Sequence, residues 1–116
     1  MKNILIVDDD KLVREMFVRA LQEFNVSEAV DGENALEIIR GNMPDVVITD
    51  LKMPKMNGVD LLKRLRTSYP NLPVIGISGY LTDGRGEALG FDSFLNKPLS
   101  LKVLKEHVTV QLTKTA

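Results

Sequence analysis

Asn3-Ile4-Leu5-Ile6-Val7-Asp8-Asp9-Asp10 carries the chain through an unbroken apolar run and stops it on three carboxylates. Asp45-Val46-Val47-Ile48-Thr49-Asp50 repeats the arrangement with a fourth. Continuous, β-branched runs of this length suit strands covered on both faces, the kind found in parallel sheets. Each run therefore ends by placing acidic groups at the edge of an apolar layer. Carboxylates gathered there repel one another and raise each other's pKa unless a cation sits among them. An oxygen-only donor set, with no Cys or His nearby, points to Mg²⁺ rather than zinc.

Outward from these two runs, strands are expected at 3–8, weakly at 26–29, and at 45–49, 74–78 and 93–96. Helical periodicity fills the gaps. Apolar residues at 12, 13, 16, 17, 20, 21 and 24 predict a helix over 11–24 with Asp10 as its N-cap. Further helices are expected over 33–40, 59–67 and 101–112, the last capped by Ser100. Asp31-Gly32, Asn57-Gly58 and Pro70-Asn71-Leu72-Pro73 punctuate them. Alternating strands and helices predict an α/β domain with a parallel sheet. Right-handed crossovers then bring the carboxyl ends of the strands to one rim, where ligands of such sheets bind. The acidic residues sit at those ends.

At 116 residues, 44% hydrophobic and 27% charged, the chain is expected to form one domain over 1–116. Fifteen basic against sixteen acidic residues leave a net charge of −1. The one basic group, Lys63, Arg64 and Arg66, reads as a solvated helix face, so no nucleic-acid footprint is present. There is no cysteine to suggest export, no signal-peptide pattern, and no apolar stretch near the ~20 residues of a membrane helix. The expected location is the cytoplasm, with no membrane partner.

Four segments, each at an expected strand end, carry a resemblance. They are Val7-Asp8-Asp9-Asp10, the stretch from Thr49-Asp50-Leu51-Lys52-Met53-Pro54 to Asn57-Gly58, Ile77-Ser78-Gly79, and Phe94-Leu95-Asn96-Lys97-Pro98. Together they resemble the receiver domains of bacterial two-component response regulators, including the single-domain chemotaxis type, over essentially the whole chain. The resemblance implies a doubly wound, flavodoxin-like sheet in the order 2-1-3-4-5 with helices on both faces. It implies Asp50 as phosphoacceptor, Asp8 and Asp9 as the metal pair with Asp9 the direct ligand, and the main-chain carbonyl of Lys52 as a further Mg²⁺ ligand. Ser78 becomes the hydroxyl that moves to the phosphoryl group, Lys97 the bridging ammonium, and Phe94 the aromatic switch. Lys97-Pro98 is a candidate cis peptide. The implied partners are a sensor histidine kinase or phosphotransfer protein, and a downstream target or a covalently attached output domain. Such a protein is a phosphorylation-activated switch, and it catalyses only its own phosphorylation and dephosphorylation.

Several residues carry a second reading. Phe94 fits an ordinary core position as well as a switch. Leu12, Met16 and Phe17 read mainly as core, although the stripe on the first helix is wider than one buried face needs, and Leu12 above all could dock a kinase. Asp31 reads as a turn residue and His107 as a surface residue. A Mg²⁺-dependent phosphatase of the haloacid dehalogenase type would instead use Asp8 as nucleophile and Asp10 as acid/base, with Ser78 and Lys97. A degenerate receiver would bind partners unphosphorylated. Four glycines between Gly79 and Gly90 predict a shortened fourth helix over 83–89 that could order on activation. The chain begins two residues before its first strand and runs only about four past its last helix. It is thus either a stand-alone receiver or one part of a longer regulator.

Overall fold

The two runs that opened the sequence pair with each other at the centre of a sheet, seen in a computed structural model that describes residues 1–79 and 89–114. The strands are β1 (Asn3–Val7), β2 (Asn25–Ala29), β3 (Val46–Asp50), β4 (Val74–Ser78) and β5 (Ser93–Asn96). All neighbours are parallel, in the order β2-β1-β3-β4-β5. Four helices are described: α1 (Lys11–Ala20), α2 (Gly32–Gly41), α3 (Gly58–Ser68) and α4 (Leu101–Lys114). The expected fourth helix over 83–89 lies, but for its last residue, outside the described residues, and Leu89 and Gly90 form a turn.

Pleating divides the strand side chains between two cores. Ile4, Ile6, Val46, Ile48, Ile75 and Ile77 pack with Phe17 and Leu21 and with Leu104, Val108 and Leu112 of α4. Leu5, Val7, Val47 and Val74 face the other way and pack with Ala35 and Ile39 of α2 and Leu61, Leu62 and Leu65 of α3. Both faces of β1, β3 and β4 are therefore buried, and this is why their sequences show no alternation of apolar and polar residues. β2 is the exposed edge, which explains its faint signal.

Helix boundaries are set by local hydrogen bonds. Asp10 caps α1, its Oδ1 accepting from Leu12 N at 2.9 Å. Asn57 caps α3 through Asp60 N at 2.9 Å, and Ser100 receives Lys102 N at 3.1 Å. α1 stops at Ala20 rather than running to residue 24. Leu21 N bonds back to Phe17 O and Val18 O, and the chain then turns so that Asn25 N can meet Lys2 O at 2.9 Å and start β2. Asp31 does more than turn the chain. It is buried and caps α2 through Asn34 N at 2.8 Å, while Asn34 Oδ1 accepts in return from Val30 N.

Three surface readings also change. Leu12 is 70% exposed and Met16 48%, so of the stripe on α1 only Phe17 is fully core. His107 is half-buried and its Nδ1 is hydrogen-bonded to the buried Ser93 hydroxyl. Arg66 does not belong to a solvated face. Its guanidinium donates to Leu72 O at 2.6 Å, Gly90 O at 3.1 Å and Asp92 Oδ2 at 2.5 Å, tying the end of α3 to the entrances of β4 and β5.

Candidate functional site

Because every strand of the sheet runs the same way, the last residues of β1, β3, β4 and β5 arrive at one edge. Asp8 follows directly on β1, Asp50 is the last residue of β3, Ser78 the last of β4, and Lys97 follows directly on β5. Asp8, Asp9 and Asp50 each present a carboxylate oxygen, and these oxygens all lie within 4.8 Å of one another. Lys97 Nζ stands 3.6 Å from Asp50 Oδ1, and Lys97 N donates to Ser78 O at 2.8 Å. The Lys97–Pro98 peptide is cis. Ser78 is buried beside this group.

The three carboxylates differ in surroundings. Asp8 is buried, Asp50 partly so, and Asp9 is exposed. Burial pushes the Asp8 carboxyl up to about 6. The charges of Asp50 and Asp9 add to the effect, against the Asp10 N–H and the Lys97 ammonium, which lower it. Asp50 is also raised, first by burial and then by Asp9, with Lys97 and the Leu51 N–H opposing. Two acids raised by burial beside a third form a site whose negative charge exceeds what the Lys97 ammonium offsets. Hard carboxylate oxygens at this spacing fit Mg²⁺. Asp10 stands apart, exposed and engaged as the α1 cap.

Lys52 is exposed in the loop after β3, where Lys55 adopts a positive φ of 66° and approaches Asp31 Oδ2 at 3.9 Å. That loop is pressed tightly against α3. Gly58 N donates to Leu51 O at 2.8 Å, and a Cβ on Gly58 would fall 2.4 Å from Asp50 O. The Asn57-Gly58 pair, read from sequence only as punctuation, thus lets a helix start directly against the residue that ends β3. Phe94 packs against the core on the α2/α3 side of the sheet. It is half-buried in the middle of β5, opposite Gly76, with its ring 5.7 Å from that of Phe91.

Arg14 joins the site from α1. Arg14 Nη1 donates to Asp8 O at 2.8 Å, and its Nε bonds Glu28 Oε1 at 3.0 Å. Its position four residues after the cap Asp10 places it one helical turn up α1. Nothing in the sequence says that this turn overhangs the end of β1.

The chain matches the family model described as the response regulator receiver domain over residues 4–109. It is 42% identical to the sensor kinase CckA of Brucella abortus, covering 96% of this chain and 12% of that protein. It is 34% identical to the response regulator MprA of a Mycobacterium species (strain KMS), covering 97% of this chain and 51% of that protein. The chain therefore spans about half or less of the length of these relatives. Among solved structures it is similar to the receiver domain of the Francisella response regulator 1452, with a TM-score of 0.93, 32% identity and full coverage of both chains.

Proposed function

The chain belongs to the response regulator receiver family, and from that premise we propose that it is a phosphorylation-activated switch whose acceptor is Asp50. The observation that carries this reading is the convergence of Asp8, Asp9 and Asp50 with Lys97 3.6 Å from Asp50. The donor is a phosphohistidine on a sensor histidine kinase or phosphotransfer protein. A carboxylate oxygen of Asp50 attacks phosphorus, the P–N bond to the donor imidazole breaks with its electron pair returning to the ring, the imidazole departs neutral because its other ring nitrogen already carries a proton, and Asp50 becomes an acyl phosphate.

That step brings two anions together, so the protein's contribution is positioning and charge neutralisation. Asp8, Asp9, Asp50 and the main-chain carbonyl of Lys52 would hold Mg²⁺, which would supply positive charge against the anionic phosphoryl group. Lys97 supplies a further cation from the end of β5. Three carboxylates, one divalent ion and one ammonium sum to about zero, so the phosphoryl group makes the site net negative. Lys97 and the Ser78 hydroxyl then bond the new oxygens, and displacement of β4 and β5 ends carries the change to the partner-binding face. Phe94, half-buried two residues before Asn96 on β5, would change its packing in that event. As a phosphoacceptor the domain turns over only its own modification. The output is either a separate target protein or a domain attached to the chain, and the setting is the cytoplasm. Among the described residues no helix is long and apolar enough to cross a membrane.

The haloacid dehalogenase reading fails on two counts: the family match covers residues 4–109, and its acid/base, Asp10, caps α1. Mg²⁺ with acetyl phosphate should add one phosphoryl group, located by mass spectrometry at Asp50 and absent from Asp50→Asn. An acyl phosphate persisting at Asp8 in that variant would sink the assignment, and no modification at all would favour the degenerate receiver.

A further inference from the structure

Asp8 is held from three directions. Its N–H donates to Ala29 O at 3.1 Å, its Oδ1 accepts from Asp10 N at 2.8 Å, and its carbonyl accepts from Arg14 Nη1 at 2.8 Å. The third bond is the unusual one. The β1–β2 register ends at Val7 and Ala29, so the Asp8 carbonyl lies past the last rung of the ladder and finds its donor in a side chain from α1. The Arg14 side chain is only 12% exposed, and Glu28, on the edge strand β2, fixes it from the other side at 3.0 Å.

We propose that Arg14 is a positioning residue for the acidic pair. The Asp8 carbonyl and the Asp9 N–H share one rigid peptide plane. Fixing that carbonyl therefore fixes the direction in which the chain enters Asp9, the exposed member of the cluster. Asp9 is thereby aimed toward Asp8 and Asp50 before any cation arrives. Glu28 acts one step further out, holding the guanidinium so that its Nη1 faces the carbonyl. A planar, forked guanidinium can serve the carbonyl and the carboxylate at once, which an ammonium on a flexible stem does poorly. The inference rests on the reading that Asp8 and Asp9 hold Mg²⁺.

Charge and position predict opposite signs here. Arg14 is a cation near a cation site, so if its charge were what mattered, removing it would tighten Mg²⁺ binding. If it positions the pair, removal weakens binding. The test is Mg²⁺ affinity of the full chain by isothermal titration calorimetry, with urea stability in EDTA measured alongside. Arg14→Gln should weaken Mg²⁺ binding roughly tenfold or more, as loss of residues that orient metal ligands commonly does. Arg14→Lys should weaken it by less and, if Arg14→Gln does not fold, carries the test alone. Glu28→Gln should lie between Arg14→Lys and the parent. The amide resonances of Asp9 and Asp10 should shift in Arg14→Gln before Mg²⁺ is added. Unchanged or tighter Mg²⁺ binding in both Arg14 variants, with stability alone reduced, would overturn the proposal. Asp9→Asn separates this outcome from failure of the underlying reading: if that variant binds Mg²⁺ like the parent, the metal pair itself is misassigned.

Discussion

Replacing Asp8 by asparagine should make the metal-free domain more stable while removing its response to Mg²⁺. Asparagine is nearly isosteric and keeps an oxygen to accept the Asp10 N–H, which lies 2.8 Å from Oδ1. It removes a charge from a buried position that already faces Asp50 and Asp9. The Asp8 carboxyl sits at about 6 in the fold against 3.8 for an unhindered aspartate. Between those values the folded chain binds more protons than the unfolded one, so the parent loses stability as pH rises through that window. Above it the full penalty is present, ~3 kcal/mol at 1.36 kcal/mol per pH unit. Asp8→Asn should therefore gain ~2–3 kcal/mol at pH 7.5 in EDTA, a rise of about 1–2 M in the urea midpoint. At pH 4 the folded parent is protonated at Asp8 and the unfolded chain is about two-fifths protonated, so the gain should shrink to ~0.5 kcal/mol. Saturating Mg²⁺ should stabilise the parent at pH 7.5 and leave the variant unmoved. Urea unfolding followed by circular dichroism at the two pH values, with EDTA or Mg²⁺, measures all four quantities. A variant no more stable than the parent at pH 7.5 in EDTA, or a gain that is the same at pH 4, would refute the argument.

Gly58→Ala should destabilise the domain by about 2–3 kcal/mol. Its methyl would meet the Asp50 carbonyl oxygen, a backbone atom, at 2.4 Å, and acyl-phosphate formation at Asp50 should slow; a fold of parental stability in the same urea assay would contradict the contact. Asp10→Ala should lower stability by ~1 kcal/mol through the lost cap with Mg²⁺ affinity retained, whereas Asp9→Asn should do the reverse, and calorimetric titration giving equal losses of affinity would refute the division of roles. Lys52, exposed two residues beyond Asp50, can pair its ammonium with phosphoryl oxygens and obstruct the attacking water. Decay of the phosphorylated form, followed by phosphate release, should accordingly be faster in Lys52→Asn; an unchanged or slower rate would dismiss that role.

The fold class and the centre of the site were legible in the sequence because both depend on short-range pattern. A strand buried on both faces must be apolar throughout, and Ile4 to Val7 and Val46 to Ile48 are. A carboxylate that directly follows such a run must lie at the sheet edge, and a parallel sheet gives all its strands the same edge. The strand-end positions of Ser78 and Lys97 follow by the same reasoning, whereas their roles were implied by the family resemblance, and the N-caps Asp10 and Ser100 are local enough to be read from their neighbours. Other features depend on which elements come to lie side by side. The end of α1 at Ala20 is decided by the need to pair Asn25 with Lys2, and no periodicity within the helix encodes it. Arg66 looks like a solvated charge until the loops carrying Leu72, Gly90 and Asp92 are folded around it. His107 looks like surface until α4 is laid against Ser93. Arg14 shares no motif with the carboxylates, yet it grips the Asp8 carbonyl because α1 doubles back over the end of β1. Which residues must be buried and which charges must end a strand can be read along the chain, since solvation and backbone hydrogen bonding act on each segment alone. Which donor meets which acceptor across segments emerges with the packing of the helices on the sheet, because those pairings join residues far apart in the chain.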